Sequence, residues 1–96
     1  RCDVRVENLC EHPITDGVVP FTVRDEHYQL TDFASDIVPL FDTVSETGGR
    51  QLGGYTRQVG KGRVCVLTPG HLLSVWQDAG YQKILKNAIE WCGGIR

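Results

Sequence analysis

The sequence of 96 residues lacks several features that would assign a function class directly. It contains no methionine, so we expect the chain to be a fragment of a longer protein. No run of about twenty apolar residues is present, which argues against a membrane-spanning helix and a membrane partner. The formal net charge is −2 and the basic residues are scattered, so nucleic acid is not an expected partner either.

Short motifs of catalytic and metal sites are also missing. The four cysteines show no CxxC spacing and the three histidines show no HxH or HxxxH spacing, so no metal site is predicted. GxSxG is absent, which leaves Ser74 without a nucleophile elbow. The glycine pairs at 48–49 and 53–54 do not form GxGxxG, so a phosphate-binding loop is not expected and no cofactor is specified. Cysteines without a paired rhythm favour the reducing cytoplasm.

The patterns that are present predict a single α/β unit over residues 1–96. Alternation of apolar and polar residues predicts strands in CDVRVEN, PFTVRDEHY and IVPLFDTV, the last requiring an edge or a bulge at Pro39. Two extended runs around 55–59 and 63–68, joined by Gly60-Lys61-Gly62, predict one hairpin. A helical turn is expected at Pro13, and DAGYQKILKNAIEWCGG predicts a closing amphipathic helix ending near Gly93.

The order of these elements predicts a mixed sheet with one long helix. In that helix, Tyr81, Ile84 and Cys92 are expected on the apolar side and Asn87 on the opposite side. One helix covers only one face of a sheet. We therefore expect the other face to be covered by a missing part of the protein or by a second copy of the chain.

His71 is the candidate for chemistry. It follows the apolar strand around Val64 to Leu67 and the loop Thr68-Pro69-Gly70, and it precedes a helix. Open α/β sheets bind ligands beyond the carboxyl ends of their strands, and imidazole titrates near neutrality. A structural histidine at the end of a strand is the alternative interpretation.

Four further residues are candidates for ligand binding. Glu26 and Tyr28 stand in the acidic-aromatic stretch Asp25-Glu26-His27-Tyr28, where alternate residues of an extended chain point to opposite sides. Either Glu26 and Tyr28 line a crevice or Asp25 and His27 do, and the sequence leaves both open. Trp76 is a candidate platform for a sugar ring, with core packing as the alternative. His12 is also a candidate, although a structural role before the Pro13 turn is available.

Three segments, EHPITDGVVPFTVRDEHY, YTRQVGKGRVCVLTPGH and ILKNAIEWC, resemble in this order the ThuA-like family, which is named for trehalose utilisation. The resemblance implies a flavodoxin-like three-layer sandwich, similar to class I glutamine amidotransferases, of which this chain would be the C-terminal half. It also implies that His71 matches the catalytic histidine of those amidotransferases. Their next residues are Pro-Glu, whereas Leu72 and Leu73 follow His71 here, so the acid that orients the imidazole is missing from its expected place.

The resemblance implies a module of carbohydrate utilisation that takes trehalose or a related disaccharide, with no reaction assigned. His71 would act as general acid, general base or ligand, and His12, Glu26, Tyr28 and Trp76 would contact the sugar. The alternative is a sugar-binding or interaction module without catalysis. Glutamine hydrolysis is disfavoured, because none of the four cysteines stands at a strand-to-helix elbow.

Overall fold

The computed structural model describes residues 1–95, and in this part of the chain it forms one five-stranded sheet and two α-helices. The strands are β1 (Cys2–Glu7), β2 (Phe21–Asp25), β3 (Val38–Ser45), β4 (Gly49–Val59) and β5 (Gly62–Leu67). A 3₁₀ turn (Pro13–Thr15) precedes β2, and helices α1 (Leu73–Gln77) and α2 (Ala79–Cys92) follow β5. The α/β class, the helical turn and the closing helix are confirmed. Neither described helix is long and apolar enough to cross a membrane.

The strands lie in the order β2-β1-β3-β4-β5, and every neighbouring pair is antiparallel. The prediction of a mixed sheet was therefore wrong. A parallel pair needs a crossover that runs over the sheet, usually as a helix. The segment between β1 and β2 contains only the short 3₁₀ turn, so the chain reverses direction instead. Tight turns join β3 to β4 and β4 to β5, which makes two hairpins of this kind where one was predicted.

Pro39 was predicted to require an edge or a bulge, and the structure has a bulge beside it. β3 is a central strand, and its register against β4 shifts on both sides of Phe41. The Phe41 ring lies over two glycines of β4, because a Cβ atom at Gly53 or Gly54 would stand 2.7 or 2.6 Å from ring carbons. These glycines therefore serve the close packing of the core, in which Phe41 is buried.

The hydrophobic core lies between one face of the sheet and α2. The sheet contributes Val6 and Val23, and α2 contributes Tyr81 and Ile84, all buried. Asn87 was predicted on the exposed side of α2 but is 2% exposed, because its amide donates to the carbonyls of the segment that contains the 3₁₀ turn. Cys92 was predicted on the apolar side and is exposed. α2 begins at an Asp78 cap. Its end before Gly93 agrees with the prediction.

The opposite face of the sheet carries ion pairs across β1, β3 and β4. Arg50 donates to both Glu7 and Asp42, and Arg5 pairs with Glu7 at 3.0 Å. All these side chains are partly exposed to solvent. Such pairs keep this part of the sheet hydrated, and coverage by another part of the protein or by a second copy stays a prediction.

We expect the thiol of Cys65 in β5 to resist alkylation in the folded chain. Burial raises its pKa to about 12, with a smaller effect from Cys92, so almost no thiolate is present at pH 8. Iodoacetamide followed by peptide mass spectrometry should modify the exposed Cys92 at least about tenfold faster than Cys65. In urea the two rates should converge, and equal rates in the folded chain would contradict the burial of Cys65.

Candidate functional site

The candidate site lies where the ends of β2 and β5 meet. These strands are the two edges of the sheet, and in a flat sheet with strands about 4.8 Å apart they would be separated by roughly 19 Å. The buried Asp25, the last residue of β2, nevertheless accepts hydrogen bonds from the loop that follows β5. The curl of the sheet and the path of residues 68–71 therefore place the residues after β2 beside His71.

Three polar side chains converge at this point. Oε2 of Glu26 accepts a hydrogen bond from the Tyr28 hydroxyl at 3.0 Å and lies 3.3 Å from Nδ1 of His71. The Tyr28 hydroxyl is itself 3.4 Å from Nδ1 of His71. All three side chains are about 40% exposed, so a ligand can reach them. We call Glu26, Tyr28 and His71 the polar cluster.

The geometry of the polar cluster suits proton transfer. A carboxylate next to Nδ1 of His71 favours the tautomer that carries its proton on Nδ1, which leaves Nε2 as the free base. No described hydrogen bond involves Nε2. The hydrogen bond from Tyr28 to Glu26 is the largest of several causes that raise the pKa of the Tyr28 phenol, so this hydroxyl keeps its proton at neutral pH.

A carboxylate lies beside His71, although not in the place where the resemblance led us to expect it. Leu72 and Leu73 follow His71, and Oε2 of Glu26 lies 3.3 Å from its Nδ1. The carboxylate comes instead from a residue 45 positions earlier, at the end of another strand. This arrangement becomes visible only when the ends of β2 and β5 are brought together.

The buried carboxylate of Asp25 holds the backbone of the histidine loop. Its Oδ2 and Oδ1 atoms accept hydrogen bonds from the amides of Gly70 and His71 at 2.9 and 3.0 Å. Asp25 is 0% exposed. Two adjacent residues at the end of β2 therefore contact different parts of His71: Asp25 holds its main chain, and Glu26 contacts its imidazole.

Side chains from both helices fix the rest of the loop. Nε1 of Trp76 in α1 donates to the Gly70 carbonyl at 2.8 Å, and the buried hydroxyl of Tyr81 in α2 donates to the Pro69 carbonyl at 2.7 Å. Gly70 has φ +128°, and a Cβ atom there would stand 2.8 Å from the Trp76 ring. The Trp76 side chain is therefore brought beside the loop that carries His71, and the residue remains 46% exposed.

His27 is anchored to the sheet. Its Nδ1 lies 2.6 Å from Oγ of Ser45, and its Nε2 lies 3.0 Å from Oγ1 of Thr43. Of the residues that the sequence left open, Glu26 and Tyr28 meet His71, whereas the side chains of Asp25 and His27 are hydrogen-bonded within the fold, although His27 still borders the cavity beside them. A cavity of about 540 Å³ adjoins the polar cluster, and it is lined by Arg1, Cys2, Glu26, His27, Tyr28, Thr47 and Gly48.

His12 lies apart from the polar cluster. Its ring packs edge-on against Trp91, and its Nδ1 accepts from the Ile14 amide at 3.1 Å, while burial lowers its pKa. Trp91 stands ten residues after Tyr81 in α2, or roughly 15 Å along the helix axis. The structure therefore places His12 near the far end of α2 from the His71 loop, and sugar binding by His12 stays a prediction.

Among residues 1–95, no group of three or more His, Cys, Asp and Glu side chains is placed to hold a metal ion. Asp25 is the site residue that the sequence patterns did not single out. A signal was present, because Asp25 continues the buried alternation of Val23 and charged residues are rarely buried without a partner. The same alternation alone does not identify that partner.

The chain was compared with known protein families and with curated proteins. The family model ThuA, described as trehalose utilisation, matches residues 1–92. No curated protein matches the chain. The matched range includes both strand ends that form the site and all of α2.

Proposed function

Since the chain belongs to the ThuA family, described as trehalose utilisation, we propose that it binds trehalose or a related disaccharide at the polar cluster. In this proposal His71 acts on the sugar as a general acid or base through Nε2, and Glu26 orients its imidazole. One observation carries the proposal: the Glu26 carboxylate contacts both the Tyr28 hydroxyl and Nδ1 of His71, and all three side chains are open to solvent.

The groups around the cluster are those that sugars require. Hydroxyl groups need partners that both donate and accept hydrogen bonds, and Tyr28, Glu26 and His71 provide both kinds. Trp76 offers an exposed ring next to the histidine loop, on which an apolar sugar face can stack. The adjoining cavity of about 540 Å³ falls in the size range of small-molecule sites.

A second candidate function is sugar binding without catalysis. Glycoside hydrolysis usually employs two carboxylates, one on each side of the bond that breaks. Beside Glu26 the site offers Asp25, but both oxygens of this buried carboxylate accept backbone hydrogen bonds. Among the described contacts of His71 there is also no cysteine, as glutamine hydrolysis would require. A single histidine–carboxylate pair is compatible with binding alone.

Calorimetry and product analysis separate the two candidates. We expect trehalose, within a panel of disaccharides and matched monosaccharides, to release heat on binding to the intact chain. Chromatography of the same mixtures then tests for turnover. New products favour an enzyme, binding without products favours the binding module, and no binding by any sugar contradicts the proposed function.

The finer fold assignment belongs to the same proposal. We propose that residues 1–96 are the C-terminal half of a flavodoxin-like domain related to class I glutamine amidotransferases. The described helices support this, since they pack on the sheet face that holds Val6 and Val23. The missing half, or a second copy, would cover the sheet elsewhere, where Val38 and Val64 are half-exposed.

A cytoplasmic location is supported by four free cysteines.

A further inference from the structure

We infer that the site takes uncharged sugars and excludes phosphorylated ones, because the loop amides suited to a phosphate are already occupied by Asp25. This inference rests on the proposed function and narrows its substrate class. It concerns the same site but depends on the backbone amides of the histidine loop and on charge, whereas the proposed function depends on the side chains of the polar cluster. The observations behind it are the backbone hydrogen bonds of the histidine loop and the distribution of charge around it.

The backbone amides of the histidine loop already have an acceptor. In α/β proteins, amides in the loop after a strand commonly bind phosphate groups. The corresponding amides here belong to Gly70 and His71, and both donate to the carboxylate of Asp25, at 2.9 and 3.0 Å. A phosphate at this position would have to displace a side chain that is fully buried. The loop therefore has no free amide pair for an anion.

The second step concerns charge. Asp25 and Glu26 place two carboxylates at the site, and the segments 25–49 and 64–82 contain neither lysine nor arginine. The flanking cations point to other partners: Arg24 pairs with Asp3 at 3.6 Å, and Lys83 donates to the Gly17 carbonyl at 3.1 Å. A phosphorylated sugar would meet repulsion from these carboxylates, and Arg1 is the one lysine or arginine among the residues that line the adjoining cavity.

Two groups oppose this repulsion and have to be tested. His71 gains a positive charge when it is protonated, and Arg1 lines the adjoining cavity. The imidazole of His71 already faces the carboxylate of Glu26. A protonated His71 therefore only cancels the charge of Glu26 and leaves no net positive charge on the pair. Arg1 is exposed and belongs to the cavity rather than to the histidine loop. A neutral sugar loses nothing from this arrangement, because its hydroxyl groups can donate to Glu26.

The test compares trehalose with trehalose 6-phosphate. We expect calorimetry on the intact chain at pH 8 to show at least about tenfold tighter binding of trehalose than of trehalose 6-phosphate. The ratio of the two dissociation constants should become smaller when salt is raised from about 10 mM to about 300 mM, since salt screens the repulsion. Glu26→Gln, which removes one charge from the site, should also make this ratio smaller. Equal or tighter binding of the phosphate by the wild-type chain would overturn the inference.

A second measurement does not depend on sugar binding. In amide NMR spectra of the wild-type chain, inorganic phosphate should leave the Gly70 and His71 signals unshifted. Shifts at these two amides would overturn the inference. The inference would also be overturned if trehalose 6-phosphate bound through its phosphate group and Arg1→Gln removed this binding. If neither sugar binds and the two amides still ignore phosphate, the proposed function fails while the exclusion of anions from the loop is supported.

Discussion

Replacing Asp25 with alanine is expected to lower the free energy of unfolding by about 3 kcal/mol, because it removes a buried carboxylate and leaves two partly buried amides without their acceptor. The amides of Gly70 and His71 lose their hydrogen bonds, and the space of a fully buried side chain is left empty. For a domain of this size, such a loss lowers Tm by more than about 10 °C. Urea unfolding followed by circular dichroism measures the difference.

Two further variants sharpen this prediction. Asp25→Asn keeps one carbonyl oxygen as an acceptor, so we expect an intermediate loss. Asp36→Ala is the matched control, because it removes an aspartate that is 54% exposed and pairs with Arg57 at the surface. Its expected cost is below about 1 kcal/mol. An Asp25→Ala chain as stable as the wild type would show that the histidine loop does not depend on this carboxylate.

Replacing His71 with alanine is expected to remove the function while leaving the fold intact. Removal of a general acid or base lowers turnover by about 10²- to 10⁴-fold, and loss of a ligand contact weakens binding as well. The side chain of His71 is 38% exposed, and the backbone amide that donates to Asp25 is retained in the variant. The thermal transition should therefore move by only a few degrees.

The measurement pairs sugar calorimetry and turnover with thermal unfolding of the same samples. Lys61→Ala in the exposed turn between β4 and β5 serves as the control and should leave binding and turnover unchanged. Glu26→Gln should reduce function less than His71→Ala, since it alters the orientation of the imidazole and retains the base. A His71→Ala chain with full binding and turnover would contradict the assigned role, and an unfolded one would make His71 a structural residue.

The elements of the fold followed from local patterns. Period-two alternation predicts β1 and β2, and helical spacing with an end at Gly93 predicts α2, because each element buries one side of its own sequence. An edge or a bulge at Pro39 was also predictable, since proline cannot donate a hydrogen bond to a neighbouring strand, and the central position of β3 made it a bulge. Asn87 broke the helical pattern, because its acceptors are carbonyls more than 70 residues earlier in the chain.

The direction of the strands was not available from such patterns. A strand has the same alternation in a parallel and an antiparallel sheet, so the residue pattern did not support a mixed sheet over an antiparallel one. The antiparallel order follows from how segments with little helix reverse the chain between strands. Gly53 and Gly54 are similar in this respect, since the positions of the Phe41 ring and, at Gly53, of the Thr43 methyl group explain them.

The sequence by itself determined the class of the chain, most of its elements and four of the residues now found near the histidine loop: Glu26, Tyr28, His71 and Trp76. Only the tertiary structure decided how they act together. The curl of the sheet and the loop after β5 bring the end of β2 to His71, which places Glu26 beside His71 across 45 residues and buries Asp25 beneath the loop. Local patterns report which side of an element is buried, whereas the partner of a buried charge depends on contacts between distant segments.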